Sequence, residues 1–312
     1  MTHSAKYWCS VLVSVFVLSA AGFSAPAHAW DDRTESLLAG YRQGGLEQLS
    51  RFEAGGVEVH LAITAQARNL ISSRTFDRPD PSFNEPNFLN FVKETWQTGL
   101  DYFHVLVPTL PFADVHIILH DLKEERRSTI NLTGVNSRVV TMDLRRWHKI
   151  YLGYSNFLGA ITSIHEFTHV NNYWLDEGED KLHREQTAVV FEILHLIKLK
   201  GMDWVLSNYL GSVAGTVANP QDLLATEYKG MSPIRTLVHG LIKRVWDGSY
   251  IVSGDKMEAI ESWAAAYLAD GAKGDAGLNR AFLAAGWKTA AGNGLTALRW
   301  RTDILQGLTQ VP

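Results

Sequence analysis

The sequence predicts an α+β fold, with strands gathered in the first half of the chain and helices filling the second. Three observations carry that prediction. Period-two apolar alternation is confined to segments 57–63, 115–120 and 137–144, with only a short apolar run at 250–252 beyond them. After about residue 145 the apolar residues recur at three- and four-residue spacing instead. No internal repeat runs through the chain, which excludes solenoids and propellers.

The elements follow in order. Residues 1–29 read as an export address: Lys6, a compact apolar run at 11–20, then small residues at 25–29 with a cut expected after Ala29. The run is about half the roughly 20 residues a membrane helix needs, so a span is not expected there. Residues 31–50 read as a helix, with Asp31 or Asp32 as cap and Leu37, Leu38, Tyr41 and Leu49 on one side, up to a stop at Gly55-Gly56. A strand is expected at 57–63 and a proline-bearing loop at 78–86. A helix over 87–104 should bury Phe88, Phe91, Val92, Trp96, Leu100 and Phe103. Strands at 115–120 and 137–144 flank a charged turn at 124–127. Helices are expected at 156–174 and 180–200, then at 202–212, 220–228, 233–246, 255–269, 278–286 and 294–308. The organisation is therefore a 30–175 α+β lobe and a 176–312 helical lobe.

Composition narrows function. The 312 residues are 46% hydrophobic and 20% charged, a globular balance that excludes disorder. With 29 basic and 33 acidic residues the net charge is −4, and loss of Lys6 with the export segment makes the mature chain one unit more acidic. There is no basic stripe, so nucleic acid is not an expected partner. Cys9 is the single cysteine, which leaves no disulfide framework and no cysteine-based metal site. It also precedes the apolar run, whereas a lipoprotein cysteine would follow it. Twelve histidines leave imidazole sites open. Walker, Rossmann and Gly-x-Ser-x-Gly patterns are absent.

One motif carries chemistry. His165-Glu166-Phe167-Thr168-His169 is HExxH within the expected 156–174 helix. Histidines four apart share a helix face and can reach one metal ion. The glutamate between them lies beside the ligands, where it can take a proton from water. A third protein ligand is needed. Glu185 and Glu192 are candidates, seven apart on one face of the next helix, with Ala188 between them. That helix is apolar almost all round, and a carboxylate inside it is costly unless paired or metal-bound. His183 and Asp176 are further alternatives.

The segment around the motif resembles the zincin metallopeptidases: Thr162, Ser163, Phe167, Thr168 and Val170 match their extended pattern, while Asn171 stands where an apolar residue is usual. The metzincin variant is excluded because Asn172 and Leu175 occupy its glycine and third-histidine positions. Glu185-x-x-Ala188-x-x-Phe191 resembles the ligand segment of gluzincin-like families, which implies Glu185 as third ligand and Glu192 as a residue orienting a histidine ring. The resemblance implies a zincin-like fold with segment 137–144 as the sheet edge that takes extended substrate. It implies one zinc ion held by His165, His169 and Glu185, Glu166 as general base, and a peptide or protein substrate cleaved outside the cytoplasm. It also implies an oxyanion donor, for which His239, Tyr173 and Tyr228 are candidates. The other reading is an exported binding or structural protein, with or without metal, and without activity. His60, His116, His120 and His195 read as structural.

Overall fold

A computed structural model describes residues 27–76, 79–121, 130–132, 138–153, 156–175, 181–210, 217–227, 229–269 and 274–310. The expected export segment up to residue 26, the expected charged turn at 124–127, Asp176 and Tyr228 lie outside the described residues.

The first helix, α1, spans Ala27–Gln43, so residues on both sides of the expected cut belong to it. The chain then enters strand β1, Glu47–Ala54, where a helix was expected to continue to 50. The correction has a local cause. Gly55 and Gly56 have φ of 58° and 76°, the left-handed pair that a tight hairpin turn demands. They join β1 to an antiparallel β2, Val57–Ile63. A Cβ at Gly55 would meet the Leu100 carbonyl oxygen at 2.4 Å, so packing as well as φ requires glycine there.

Helix α2, Ala65–Ser73, follows at once; its N-cap is Thr64, and the sequence reading did not anticipate it. Helix α3, Glu85–Leu106, starts at Asn84, whose side chain accepts from the Asn87 amide at 3.0 Å. All six residues expected on its inner face are buried. Strand β3 is Asp114–His120, β4 is Ile130–Leu132 and β5 is Val139–Asp143. Asp143 then caps helix α4, Leu144–Leu152, a second helix that the sequence reading did not foresee.

The five strands form one sheet in the order β1-β2-β3-β5-β4. The pairs β2–β3 and β3–β5 are parallel, and β4 runs antiparallel to β5. The segment expected at the sheet edge, 137–144, is therefore not the edge. The three residues of β4 cover it. Burial on the inner face is nearly continuous along β2 and β3 because helices cover the parallel core.

Helix α5, Asn156–Leu175, carries the motif, and α6, Lys181–Lys200, packs along it. A helical turn at Met202–Trp204 runs into a π-helical stretch, Val205–Leu210, and a 3-10 turn follows at Pro220–Leu224. Helix α7 is Met231–Trp246, α8 is Lys256–Ala269, α9 is Gly274–Ala284 and α10 is Ala297–Thr309. A two-stranded hairpin, β6 (Tyr250–Ile251) and β7 (Lys288–Thr289), ties this region together. The architecture is α+β.

One continuous apolar core runs from β2 through α3, α5 and α6 to α10. Within it Trp263 stacks on Tyr267, Phe282 and Trp287 at 5.4–5.7 Å. No described helix is long and apolar enough to cross a membrane.

Two glycines set where α5 lies. A Cβ on Gly99 of α3 would meet the Ala160 carbonyl oxygen at 3.0 Å and the Ile164 nitrogen at 3.1 Å. A Cβ on Gly159 of α5 would meet Thr95 Cγ2 at 2.5 Å. The two backbones approach closely because neither glycine carries a side chain.

Candidate metal centre

Helix α5 is buried almost all round, yet its two sides differ in chemistry. Successive residues turn by about 100° along a helix, so His165 and His169 share a face, Glu166 stands beside them, and Phe167 points away. Phe167 is fully buried between Phe103 and Phe112, at ring distances of 5.0 and 5.8 Å. Thr168 is also buried, and its hydroxyl donates to the Ile164 carbonyl at 2.7 Å. Phe167 thus anchors the helix against α3 and the segment that leads into β3. His165 and His169 are left facing Glu185 on α6.

The His165 Nε2 and His169 Nε2 atoms are 3.2 Å apart. Glu185 Oε2, reaching across from α6, stands 3.6 Å from the first and 3.5 Å from the second. These are contacts too long for hydrogen bonds, and that buried oxygen has no hydrogen-bond partner. Three donors each about 2.0–2.1 Å from a tetrahedral zinc would be separated by about 3.4 Å. The observed triangle has that size, and its donor set of two imidazoles and one carboxylate suits zinc. Among the described residues this is the only group of three or more such side chains with converging ligand atoms.

Glu192, the rival third ligand, sits on the other side of the ring. Its Oε2 is 3.0 Å from His165 Nδ1, so it orients the imidazole and leaves Nε2 free to point at Glu185. The same Oε2 accepts from Arg235 Nη2 of α7 at 3.3 Å. Arg235 was not singled out from the sequence. It follows Ile234 near the start of α7, and nothing local marks it.

Electrostatics fit a cation-binding cage. Burial by itself lowers the His165 pKa, but the Glu185 and Glu192 carboxylates, with Glu166 behind them, outweigh it and raise the group to about 10. Burial likewise raises Glu185, and the nearby His169 and His165 reverse that and hold it well below the usual carboxylate range. Glu166 is pushed up by burial, against the pull of the two histidines. It makes no hydrogen bond or ion pair among the described residues and is 7% exposed.

The remaining candidates are dispersed. His183 is buried, its ring edge-on to Tyr267 at 4.5 Å. His239 is 2% exposed on α7, and burial lowers it to about 3, with Glu192 and Arg235 as its charged neighbours. The Tyr173 side chain is outside the described set. His60 and His116 stack on each other at 4.6 Å across β2 and β3, each beside a carboxylate, Glu58 and Asp114. His120 Nδ1 meets the Thr64 hydroxyl at 3.0 Å. His195 is 2% exposed with no hydrogen-bond partner on either ring nitrogen, packed edge-on to Tyr102. Asn171 is buried, and its amide nitrogen has no partner.

No protein-family model matches the sequence, and no curated protein is detectably similar to it.

Proposed function

We propose that this chain is a zinc-dependent hydrolase of peptide bonds, with His165, His169 and Glu185 holding the ion and Glu166 acting as general base. The observation that carries the reading is the triangle of two Nε2 atoms and one Oε2, at 3.2, 3.5 and 3.6 Å, with an unengaged carboxylate adjacent to it in sequence. A purely structural metal site has no use for that carboxylate.

Zinc in this position supplies Lewis acidity, which polarises a carbonyl and acidifies water. Glu166 accepts the proton of the attacking water on its carboxylate and passes it to the amine nitrogen of the leaving group. Glu192 keeps His165 in the tautomer that offers Nε2, because its carboxylate accepts a hydrogen bond from Nδ1–H. Burial of all three motif side chains limits competing water.

The wider arrangement fits a zincin-like plan, with a small sheet on one side of the motif helix and the third ligand on the next helix. β4, the antiparallel outer strand, is the edge at which an extended substrate can add as a further strand. If residues 1–29 act as the export address their sequence suggests, the reaction takes place in the periplasm or outside the cell.

The test pairs metal content with turnover. Glu166→Gln should keep one zinc per chain and lose hydrolysis of any substrate found by peptide screening. His165→Ala should lose both. Unchanged turnover in Glu166→Gln would refute the assignment. A tightly held zinc without hydrolysis in the native chain would favour a structural metal site.

A further inference from the structure

The sheet order β1-β2-β3-β5-β4 leaves two outer strands among the described residues. β4 has three residues, whereas β1 has eight, and an outer strand of that length presents a row of unpaired backbone groups. Which residues present them follows from the hydrogen bonds further in. The Glu58 amide donates to the Ala113 carbonyl at 2.8 Å, and the Thr64 amide to the Leu119 carbonyl at 3.0 Å. The even-numbered amides of β2 thus point toward β3 and away from β1. Glu58 and His60 stand opposite Glu53 and Arg51, so these are the non-hydrogen-bonded pairs of the β1–β2 ladder. Arg51 and Glu53 therefore turn their own N–H and C=O groups outward, to the open side of the sheet.

Their side chains are uncommitted as well. Arg51 and Glu53 are exposed, share the outer face of the sheet, and make no hydrogen bond or ion pair among the described residues. Across the ladder Glu53 faces Glu58, a like charge, and Glu58 is already held by His60 Nε2 at 3.1 Å. Arg51 faces His60, which offers it no anion. Like charges set directly opposite each other are unfavourable.

A second copy supplies what both residues lack. Laid antiparallel along β1 about a two-fold axis at Phe52, it sets Arg51 of each copy opposite Glu53 of the other. The outward-facing backbone groups of 51 and 53 then meet each other, so hydrogen bonding and charge agree on one register. A shift by one residue sets Arg51 against Phe52, whose backbone groups point back to β2. A shift by two opposes Arg51 to Arg51 or Glu53 to Glu53. In the matched register Phe52 meets Phe52 on the other face, at a non-hydrogen-bonded position, where side chains approach most closely. Phe52 is partly buried against the core, with Lys93 Nζ 5.5 Å from its ring centroid. The ladder is irregular between Gln48 and Ser50, and Gln48 Nε2 donates to the Ser50 carbonyl at 2.7 Å, so the stretch available for pairing is 50–54.

We propose that β1 is a self-complementary edge through which two copies of this chain join antiparallel, continuing the sheet across a two-fold axis. The contact is short, which makes the dimer weak and dependent on concentration. It lies at the opposite edge of the sheet from β4 and does not depend on the metal reading.

The test is the oligomeric state of the full chain, by analytical ultracentrifugation over a concentration series. The native chain should form a dimer as concentration rises. Arg51→Glu sets acidic residues opposite each other twice, and Glu53→Arg does the same with basic ones. Each should weaken the dimer by about tenfold or more, since two cross-strand charge pairs turn from attractive to repulsive. Mixing the two variants should restore association as a heterodimer, because one copy then carries only acidic and the other only basic side chains at 51 and 53. Misfolding cannot produce that recovery. The double reversal, Arg51→Glu with Glu53→Arg, should also dimerise. A native chain that stays monomeric across the series would overturn the proposal and leave the edge to another partner. A dimer that neither reversal weakens would place the interface elsewhere and overturn it equally. Loss in both variants without recovery on mixing would overturn the register.

Discussion

Replacing Glu192 by glutamine tests the division of labour between the two glutamates on α6. The change is isosteric and keeps an oxygen able to accept from His165 Nδ1, now at 3.0 Å from Glu192. What it removes is charge. The bond to the imidazole is no longer charge-assisted, and such bonds are about twice as strong as neutral ones. Arg235 also loses the carboxylate it contacts at 3.3 Å. Residues that orient a metal-bound histidine typically cost about 10–100-fold in metal affinity when changed, or about 1.4–2.7 kcal/mol. Glu192→Gln should fall in that range. Glu185→Gln takes a charged oxygen away from both Nε2 atoms and should cost distinctly more. Zinc affinity measured by competition with a calibrated chelator ranks the two, and thermal unfolding without zinc checks that both variants fold. If Glu192→Gln weakened zinc by less than the lower bound, the orienting role would be wrong. If it cost more than Glu185→Gln, the ion would belong on the Nδ1 side of His165.

Three further outcomes follow from packing and burial. Gly159→Ala drives a methyl to within 2.5 Å of Thr95 Cγ2 and should destabilise by about 1–3 kcal/mol. Adding Thr95→Ser deletes that methyl and should recover most of the loss in urea unfolding, so simple additivity would exclude a direct clash. Asn171→Leu removes a buried amide nitrogen without a partner and should raise stability by about 1–3 kcal/mol; a loss would mean that the amide is satisfied in solution. His195 is held at about 4 by burial, against 6.5 when exposed. Its folded pKa is the lower one, so the unfolded chain takes up the proton first. Stability is intact above about pH 6.5 and falls as pH drops toward 4, with about 2 kcal/mol lost by pH 5. His195→Leu should flatten that part of the stability-versus-pH curve. An unchanged slope would show that His195 is not the titrating group.

How much of this was legible depends on how local each signal is. The α3 face was readable because one period of 3.6 placed Phe88, Phe91, Val92, Trp96, Leu100 and Phe103 inward. β1 was missed because Leu46, Leu49 and Phe52 at three-residue spacing also suit a helix. Gly55-Gly56 ends a helix as readily as it turns a hairpin, so the pair does not separate the two. α2 and α4 are nine residues each and begin directly at strand ends, so their apolar pattern covers too few turns to declare a period. The position of β5 one strand in from the edge depends on β4, three residues with no alternation to read.

The site divides in the same way, and the division has a consequence for how it can fail. His165, Glu166 and His169 are placed by one helix, so five consecutive residues specify their mutual geometry. The third corner is placed by packing between helices. Glu185 reaches the two Nε2 atoms only if α6 lies at the right distance from α5, and Ala188, fully buried between the two glutamates, leaves room for that approach. Arg235 is set still less locally, by α7, and a reading along the chain has no means of bringing residues 165, 192 and 235 together. The position of α5 itself depends on Gly99, Gly159 and the Phe103–Phe167 contact on its far side. A substitution on that far face, which touches no ligand, shifts the histidine pair against Glu185. The metal triangle tolerates little of that, since donor distances must hold to about 0.2 Å. Weakened zinc binding from core variants such as Gly159→Ala is therefore a consequence of the architecture, and it should track the loss of stability as long as the helix remains folded.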